Sequence, residues 1–453
     1  MKFSDLLTLV RESGPFSQSK LASDLSLVTS VSLDLADVAL PSSDTDELAT
    51  AYMSYSPRPV YAVVLTRDEE ERIERCLAAL AEDIDHCLLI DSGSTDSTIA
   101  RAMKARTDTC IVSAPWANDF SLQRNIAFRE VHNNGWLCHV DADEVLTSAH
   151  AGRLRRALSA LDFLLGDHDF VVSPVIADVD GPVYTNTQRI IPADGPFRFR
   201  GRVHEHPYDR RGYAPARVQI DVRFDHSGYL PEVIEQRAKR HLYVKLDKLC
   251  RAEEPDNPKW VFYEIRDGLD LTSASAAEVR AAFAQLAEAA GTTVPAGPPG
   301  YRTERVVDSW ALLCELALRL GEADALMTYT TLLGEAGRTV EATYYRTLWE
   351  SSRLLGALSA LVDRIASVGA EEEPANRHLV ARLFDLQASL GLASGRYEVV
   401  VPAYREATAR GAGQGVGEDL TRLARLLADV PGSAARSDPR NDRFQRAEQA
   451  ADI

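Results

Sequence analysis

Three stretches decide the fold: VYAVVLT (60–66), HCLLIDSGSTDST (86–98) and WLCHVDADEVL (136–146). Each opens with a short continuous apolar run, the pattern of a strand buried on both faces. Between the first two, RDEEERIERCLAAL (67–80) sets Ile73, Cys76, Leu77 and Leu80 on one helical stripe. After the second run, Gly93 permits a tight turn, and Asp96 or Ser97 can cap a following helix. Residues 110–112 read as a third strand, 121–130 as a helix with Leu122 and Ile126 inward, and 136–140 as a fourth strand. A helix over 148–161, through Leu154, Leu158 and Leu161, precedes another strand beginning at 170–172. This alternation predicts an α/β fold, a mostly parallel sheet with right-handed crossovers and helices on both faces. Ligands of such sheets bind beyond the carboxyl ends of the strands. Polar clusters fall there three times, at Thr66, at 91–96 and at 141–144, which predicts one shared site.

The chain has 453 residues, about three domains' worth at ~150 each. Its 45% hydrophobic and 26% charged residues are ordinary for a globular protein and exclude bulk disorder, collagen-like and coiled-coil classes. The net charge of −17 makes it a poor general binder of nucleic acid or anionic membrane. Any bound anion needs a local basic pocket. The start, MKFSDLLTLVRESGPFSQSK, lacks the apolar core of a signal peptide, and no run of 18 apolar residues exists to span a membrane. Six widely spaced cysteines without CxxC read as free thiols, mostly buried, in a reducing cytoplasm.

Working outward, residues 1–56 form an N-terminal accessory segment in which Val31, Leu33 and Leu35 alternate like a strand. Residues 57–250 hold the sheet domain. Residues 251–300 are a helical connector ending at the Pro/Gly-rich TTVPAGPPG (292–300), a boundary signal. Residues 301–430 are helical. There Leu-Gly recurs at 320–321, 355–356 and 390–391, 35 residues apart, as helix C-terminal glycines of a tetratricopeptide-like repeat would. The full repeat consensus is absent. The polar tail 431–453 reads as disordered.

The strongest chemical signal is Asp141-Ala142-Asp143-Glu144, carboxylates directly after an apolar strand. Hard ions such as Mg²⁺ or Mn²⁺ take such oxygens, often shared with phosphate. A lone DxD is more often an acidic turn, and the second one, Asp178 and Asp180, reads as a loop. Context separates the first: it ends a fourth parallel strand, beside another acidic turn. In 91–96, Asp96 reads as the helix cap and Asp91 as the functional acid, a hydrogen-bond acceptor for a nucleobase or ribose. Arg124 opens a helix and could face a pyrophosphate, though a solvated arginine is as good a reading of that motif alone. The basic stretch FRFRGR (197–202), with Arg198 and Arg202, suits a nucleoside diphosphate inside an acidic chain. A rival reading makes His204, His206 and His226 a zinc site, without any standard zinc spacing. No Walker loop, GxGxxG or GxSxG is present.

VVLTRDEEERIERCL, LLIDSGSTDST, FSLQRNIAF, WLCHVDADEVL, RFRGRVHEHPY and FDHSGYL occur in the order seen in family 2 glycosyltransferases of the GT-A fold. The chain resembles, more narrowly, the subgroup with a C-terminal tetratricopeptide-like region that includes peptide S-glycosyltransferases of glycocin biosynthesis. The likeness covers about residues 58–270, and more loosely the helical end. It implies a GT-A, Rossmann-like sheet followed by an all-α region, and a metal-dependent, inverting transfer from a UDP-sugar. Asp91 would contact the uracil and Asp141 the ribose or metal. Asp143 and His226 would ligate Mn²⁺ or Mg²⁺. Thr66 and Glu69 would line the nucleotide pocket, Arg124, Arg198 and Arg202 would face the diphosphate, and Glu205 would be the acceptor-activating base. Arg67-Asp68 stands where Lys-Asn is common in the family. The acceptor implied is a peptide, natural product or glycan, and a homodimer through the helical region is open. Competing readings are a sugar-phosphate nucleotidyltransferase, a non-catalytic helical-repeat binding protein and a zinc metallohydrolase.

Overall fold

The computed structural model describes residues 1–132, 134–178, 181–226, 233–297, 300–368 and 372–428. Asp180, the segment 227–232 and the tail 431–453 lie outside the described residues. Two compact units are present, 1–338 and 339–453.

The first unit is built on a mixed sheet of ten strands. They are β1 (Val28–Val31), β2 (Val60–Thr66), β3 (His86–Asp91), β4 (Thr109–Ser113), β5 (Trp136–Asp141), β6 (Glu144–Leu146), β7 (Phe170–Asp178), β8 (Val183–Tyr184), β9 (Ile190–Pro192) and, after the hairpin β10 (Arg198–Arg200) and β11 (His206–Tyr208), β12 (Ala216–His226). The order across the sheet is β1-β12-β7-β9-β5-β2-β3-β4, with β6 beside β12 and β8 beside β7. β5, β2, β3 and β4 are parallel, as the apolar runs predict. The parallel run then stops. β7 does not continue it, because the antiparallel β9 lies between β5 and β7. β7 and β12 form a second parallel pair.

Alternation along β2 feeds two cores. Val60, Ala62 and Val64 face one, with Ile73, Cys76 and Leu77 from the helix Ile73–Ala79 and Leu154, Leu158 and Leu161 from the helix Arg153–Leu165. Val63 faces the other, with Ile126, Phe128, Phe197 and Phe199. Each buried Val, Leu, Ile or Phe among these stabilises the fold by roughly 1.5–3 kcal/mol.

Several local readings are corrected. The helix expected over 121–130 is two short ones, Phe120–Arg124 and Ala127–Glu130. Asn125 breaks it by exchanging hydrogen bonds with the Phe199 backbone, at 2.8 and 3.0 Å. Leu122 is 55% exposed, while Ile126 is buried. The alternation at 31, 33 and 35 is not one strand. β1 pairs antiparallel with β12, and a helical turn Leu33–Ala36 follows. Five cysteines are buried and Cys110 is exposed.

The helical repeat signal also changes meaning. Gly321 does end a helix in the left-handed conformation (φ 74°). Gly356 lies inside the 30-residue helix Thr339–Val368, and Gly391 inside Arg377–Ser394. At Gly391 a Cβ would meet Val399 Cγ2 at 2.7 Å, so that glycine serves close helix packing rather than termination.

Candidate active site

Register places the acidic groups together. Thr66 pairs with Asp91, and Leu65 with Asp141, so the ends of β2, β3 and β5 share one edge of the sheet. On the other side, β12 sets His226 opposite Asp178 on β7 and opposite Glu144 on β6. Between these groups lies a cavity of about 870 Å³, lined among others by Thr66, Glu69, Ser92, Arg124, Asp141, Asp143, Glu144, Asp178, Arg189, Glu205 and His226.

At its acidic end, His226 Nε2 is 3.0 Å from Asp143 Oδ2, and His226 Nδ1 is 2.6 Å from Asp178 Oδ1. The hydrogen bond to Asp143, with that to Asp178 acting against burial, raises the imidazole pKa to about 9. This arrangement fits a divalent cation. One carboxylate oxygen and one imidazole nitrogen already converge, and a second carboxylate holds the far ring nitrogen, the outer partner that metal-bound histidines typically have. Asp178 is thus a correction: it ends a strand and lines the cavity instead of lying in a loop.

Next to it runs an ion chain. Asp141 Oδ1 accepts from Arg124 Nη2 at 3.1 Å and Oδ2 from Arg189 Nη2 at 2.8 Å. Burial pushes the Asp141 carboxyl up, but Arg189 and Arg124 outweigh it and hold the group far below the usual carboxylate range. Glu144 accepts the Asp141 N–H at 3.0 Å, and burial moves its carboxyl upward despite Arg189. Arg124 Nε donates to Glu205 Oε1 at 2.7 Å. Arg124 and Arg189 each keep one buried Nη1 without a hydrogen-bond partner, and Thr66 Oγ1 is buried without one too. Unsatisfied buried cationic donors beside the Asp143–His226 pair suit an anionic, oxygen-rich ligand.

The first two loops brace each other. Asp68, at φ 55°, accepts from Thr95 N at 2.8 Å and donates its own N–H to Ser94 Oγ at 3.0 Å. Asp91 accepts from Gly93 N and Ser94 N, across a turn that Gly93 makes at φ 105°. Asp91 is buried and does not itself line the cavity, though Ser92 does.

Two expected ligands of the diphosphate lie elsewhere. Arg198 donates to the Gly195 and Phe197 carbonyls and stacks over Phe128 at 4.2 Å. Arg202 is paired with Glu253 and donates to the Asn118 carbonyl. Neither lines the cavity. The three-histidine zinc reading also fails. Among the described residues one cluster brings three metal-ligating side chains within 4.8 Å, namely His204, Asp247 and Asp267, without His206 or His226. Arg266 already donates twice to Asp267 there. Arg189 had no motif to announce it. An aromatic wall, missed as well, completes the cavity: Trp116 and Phe120 in edge contact at 4.7 Å, with Tyr243 and Tyr263.

Several known proteins are similar to this chain. The family model "Glycosyl transferase family 2" matches residues 61–217. The glycosyltransferase SunS of Bacillus subtilis (strain 168) is 26% identical over 370 residues, which cover 80% of this chain and 83% of SunS. A TPR repeat-containing protein of Synechococcus elongatus is 30% identical over 142 residues, 31% of this chain and 34% of that protein. Among solved structures, S. aureus TarS is similar over 59% of this chain and 54% of its own, at 14% identity and a TM-score of 0.36. With a sheet whose strand tips carry these acids, and with this sequence likeness, residues 61–217 are a family 2 glycosyl transferase domain and the chain is a glycosyltransferase of the family 2 type.

Proposed function

We propose that the cavity holds a UDP-sugar together with Mn²⁺ or Mg²⁺ and that the sugar passes, with inversion, to a nucleophile of a peptide or natural-product acceptor. The observation that carries this reading is the convergence of Asp143 Oδ2 and His226 Nε2, backed by Asp178, beside two arginines with unpaired buried donors. The cation would supply charge stabilisation for the departing diphosphate. Asp143 and His226 would hold it, with Asp178 fixing the imidazole tautomer. Arg124 and Arg189 would direct their free Nη1 donors at diphosphate oxygens, in a setting where such preorganised donors are worth most. Asp141, gripped by both arginines, keeps them in place and offers its edge to the ribose. Thr66, Glu69 and Ser92 would line the nucleoside end, with Asp91 bracing the turn that carries Ser92.

Glu205 would take the acceptor's proton, a role worth about 10²–10⁴ in rate. One of its oxygens accepts from Arg124 Nε, which orients it. The aromatic wall of Trp116, Phe120, Tyr243 and Tyr263 would receive the acceptor, a surface better suited to an apolar segment than to a polyanion. No described helix is long and apolar enough to cross a membrane.

A screen of UDP- and GDP-sugars for nucleotide release with and without Mn²⁺ tests the proposal. UDP release from one sugar that needs the cation is expected. Release that is indifferent to chelation, or confined to GDP-sugars, overturns the donor and metal assignment.

A further inference from the structure

The loop that carries Glu205 is held in an unusual way. It joins β10 to β11, with Gly201 at φ 105° and His204 at φ 50°, a conformation that residues other than glycine rarely adopt. Such outliers persist only where the surroundings over-determine them. Here they do. His204 Nε2 lies 2.9 Å from Asp267 Oδ2 and 3.6 Å from Asp247 Oδ1. The His204 ring stacks on Tyr263 with centroids 3.8 Å apart and 7° between planes, and meets Tyr243 edge-on at 5.5 Å. Its carbonyl accepts from Lys259 Nζ at 3.2 Å, and that fully buried ammonium is paired with Glu304 at 3.0 Å. Asp247 is fully buried, and neither of its carboxylate oxygens has a hydrogen-bond partner. Two helices, Val233–Glu253 and Pro258–Gly268, therefore converge on one side chain, and the next residue is Glu205, aimed at Arg124.

We propose that His204 is the positioning residue for Glu205: the imidazole, clamped by Asp267, Asp247 and Tyr263, fixes the turn that delivers the Glu205 carboxylate to Arg124 and the acceptor. This rests on the reading of Glu205 as the base. The clamp sets where the carboxylate stands, and placement to within an ångström is worth up to about 10² in rate. The same contacts make the two helices part of the active-site scaffold.

The test is a double-mutant cycle on the full chain. His204→Gly removes the ring while tolerating the backbone angle. It is expected to lower kcat about 10²-fold and to leave the donor KM within about threefold. His204→Asn, which tolerates positive φ and keeps a donor, should recover part of the loss. In a Glu205→Gln background, His204→Gly should cost less than about threefold, since the group it positions is gone. Equal losses in both backgrounds, or no loss in the first, overturn the proposal. Should His204→Gly not fold, Asp267→Asn takes its place, with about a tenfold loss of kcat expected and the same non-additivity. A crystal structure of whichever variant is used separates this idea from the base assignment. Glu205 displaced from Arg124 supports the clamp even if Glu205→Gln proves active, and an unchanged Glu205–Arg124 contact refutes it.

Discussion

The two halves of the sheet build the cavity by different means. In the parallel half, the loops after β2 and β3 brace themselves and each other, as in the Asp91 turn and the Asp68–Thr95 contact. In the mixed half, the tips of β6, β7 and β12 place side chains that meet partners far along the chain. Asp178 on β7 reaches His226 on β12 across 48 residues. At the seam between the halves, just past β5, Asp143 meets His226 across 83 residues and Asp141 meets Arg189 across 48. Local turns shape the nucleoside end, and long-range ion pairs assemble the charged end. The charged end should thus be chemically decisive and sensitive to single substitutions, and the other end more tolerant.

Breaking the charged end should give the largest effects. Asp143→Asn should reduce turnover by about 10³-fold or more, by analogy with the loss of one preorganised electrostatic group, and added Mn²⁺ should not restore it, as steady-state kinetics over a cation series would show. Arg189→Met should come next. It takes one of two arginine partners from the half-buried Asp141 and the cationic neighbour from the buried Glu144, and should cost less than the ~3–5 kcal/mol of a fully uncompensated buried charge, measurable by denaturant unfolding. On the second core, Ile126→Ala should cost about 2–4 kcal/mol, whereas Leu122→Ser, four residues earlier and exposed, should change stability by less than about 0.5 kcal/mol. Equal costs for these two would contradict the broken helix.

The smallest effect concerns acid. Burial raises the Asp267 carboxyl, but His204 and Arg266 outweigh it and hold it well below the usual carboxylate range. A depressed folded pKa means stability that is present above the unfolded value of ~3.9 and lost as pH falls below it. Asp267→Asn should therefore flatten the acid limb of a stability–pH profile below about pH 4 and leave its alkaline limb alone.

The parallel half was the legible half. Continuous apolar runs of five to seven residues, each closed by an acid or hydroxyl, are visible without any structure, and they led to Thr66, Asp91, Asp141 and Asp143. In FVVSPVIAD (170–178) the strand start at 170–172 is legible, but its extent to Asp178 is not, because Ser173 and Pro174 interrupt the apolar run. β9 escaped notice because three residues carry no periodicity, and without it the order of the sheet could not be derived. Arg189, Arg198 and Arg202 look alike in sequence. Only the fold separates the one gripping Asp141 from the two engaged with Phe128 and Glu253. The family 2 domain speaks against the nucleotidyltransferase, binding-module and metallohydrolase readings, and Asp143 and His226 stand 3.0 Å apart where the proposed cation would lie.

The central claim is that Asp143 and His226 hold a divalent cation against the donor's diphosphate. Calorimetric titration of UDP into the wild-type protein and into Asp143→Asn, with Mn²⁺ and with chelator, tests it directly. Mn²⁺ should tighten UDP binding at least about tenfold in the wild type, which is 1.4 kcal/mol, and leave the variant unchanged. Equal tightening in both proteins, or none in either, would contradict the account.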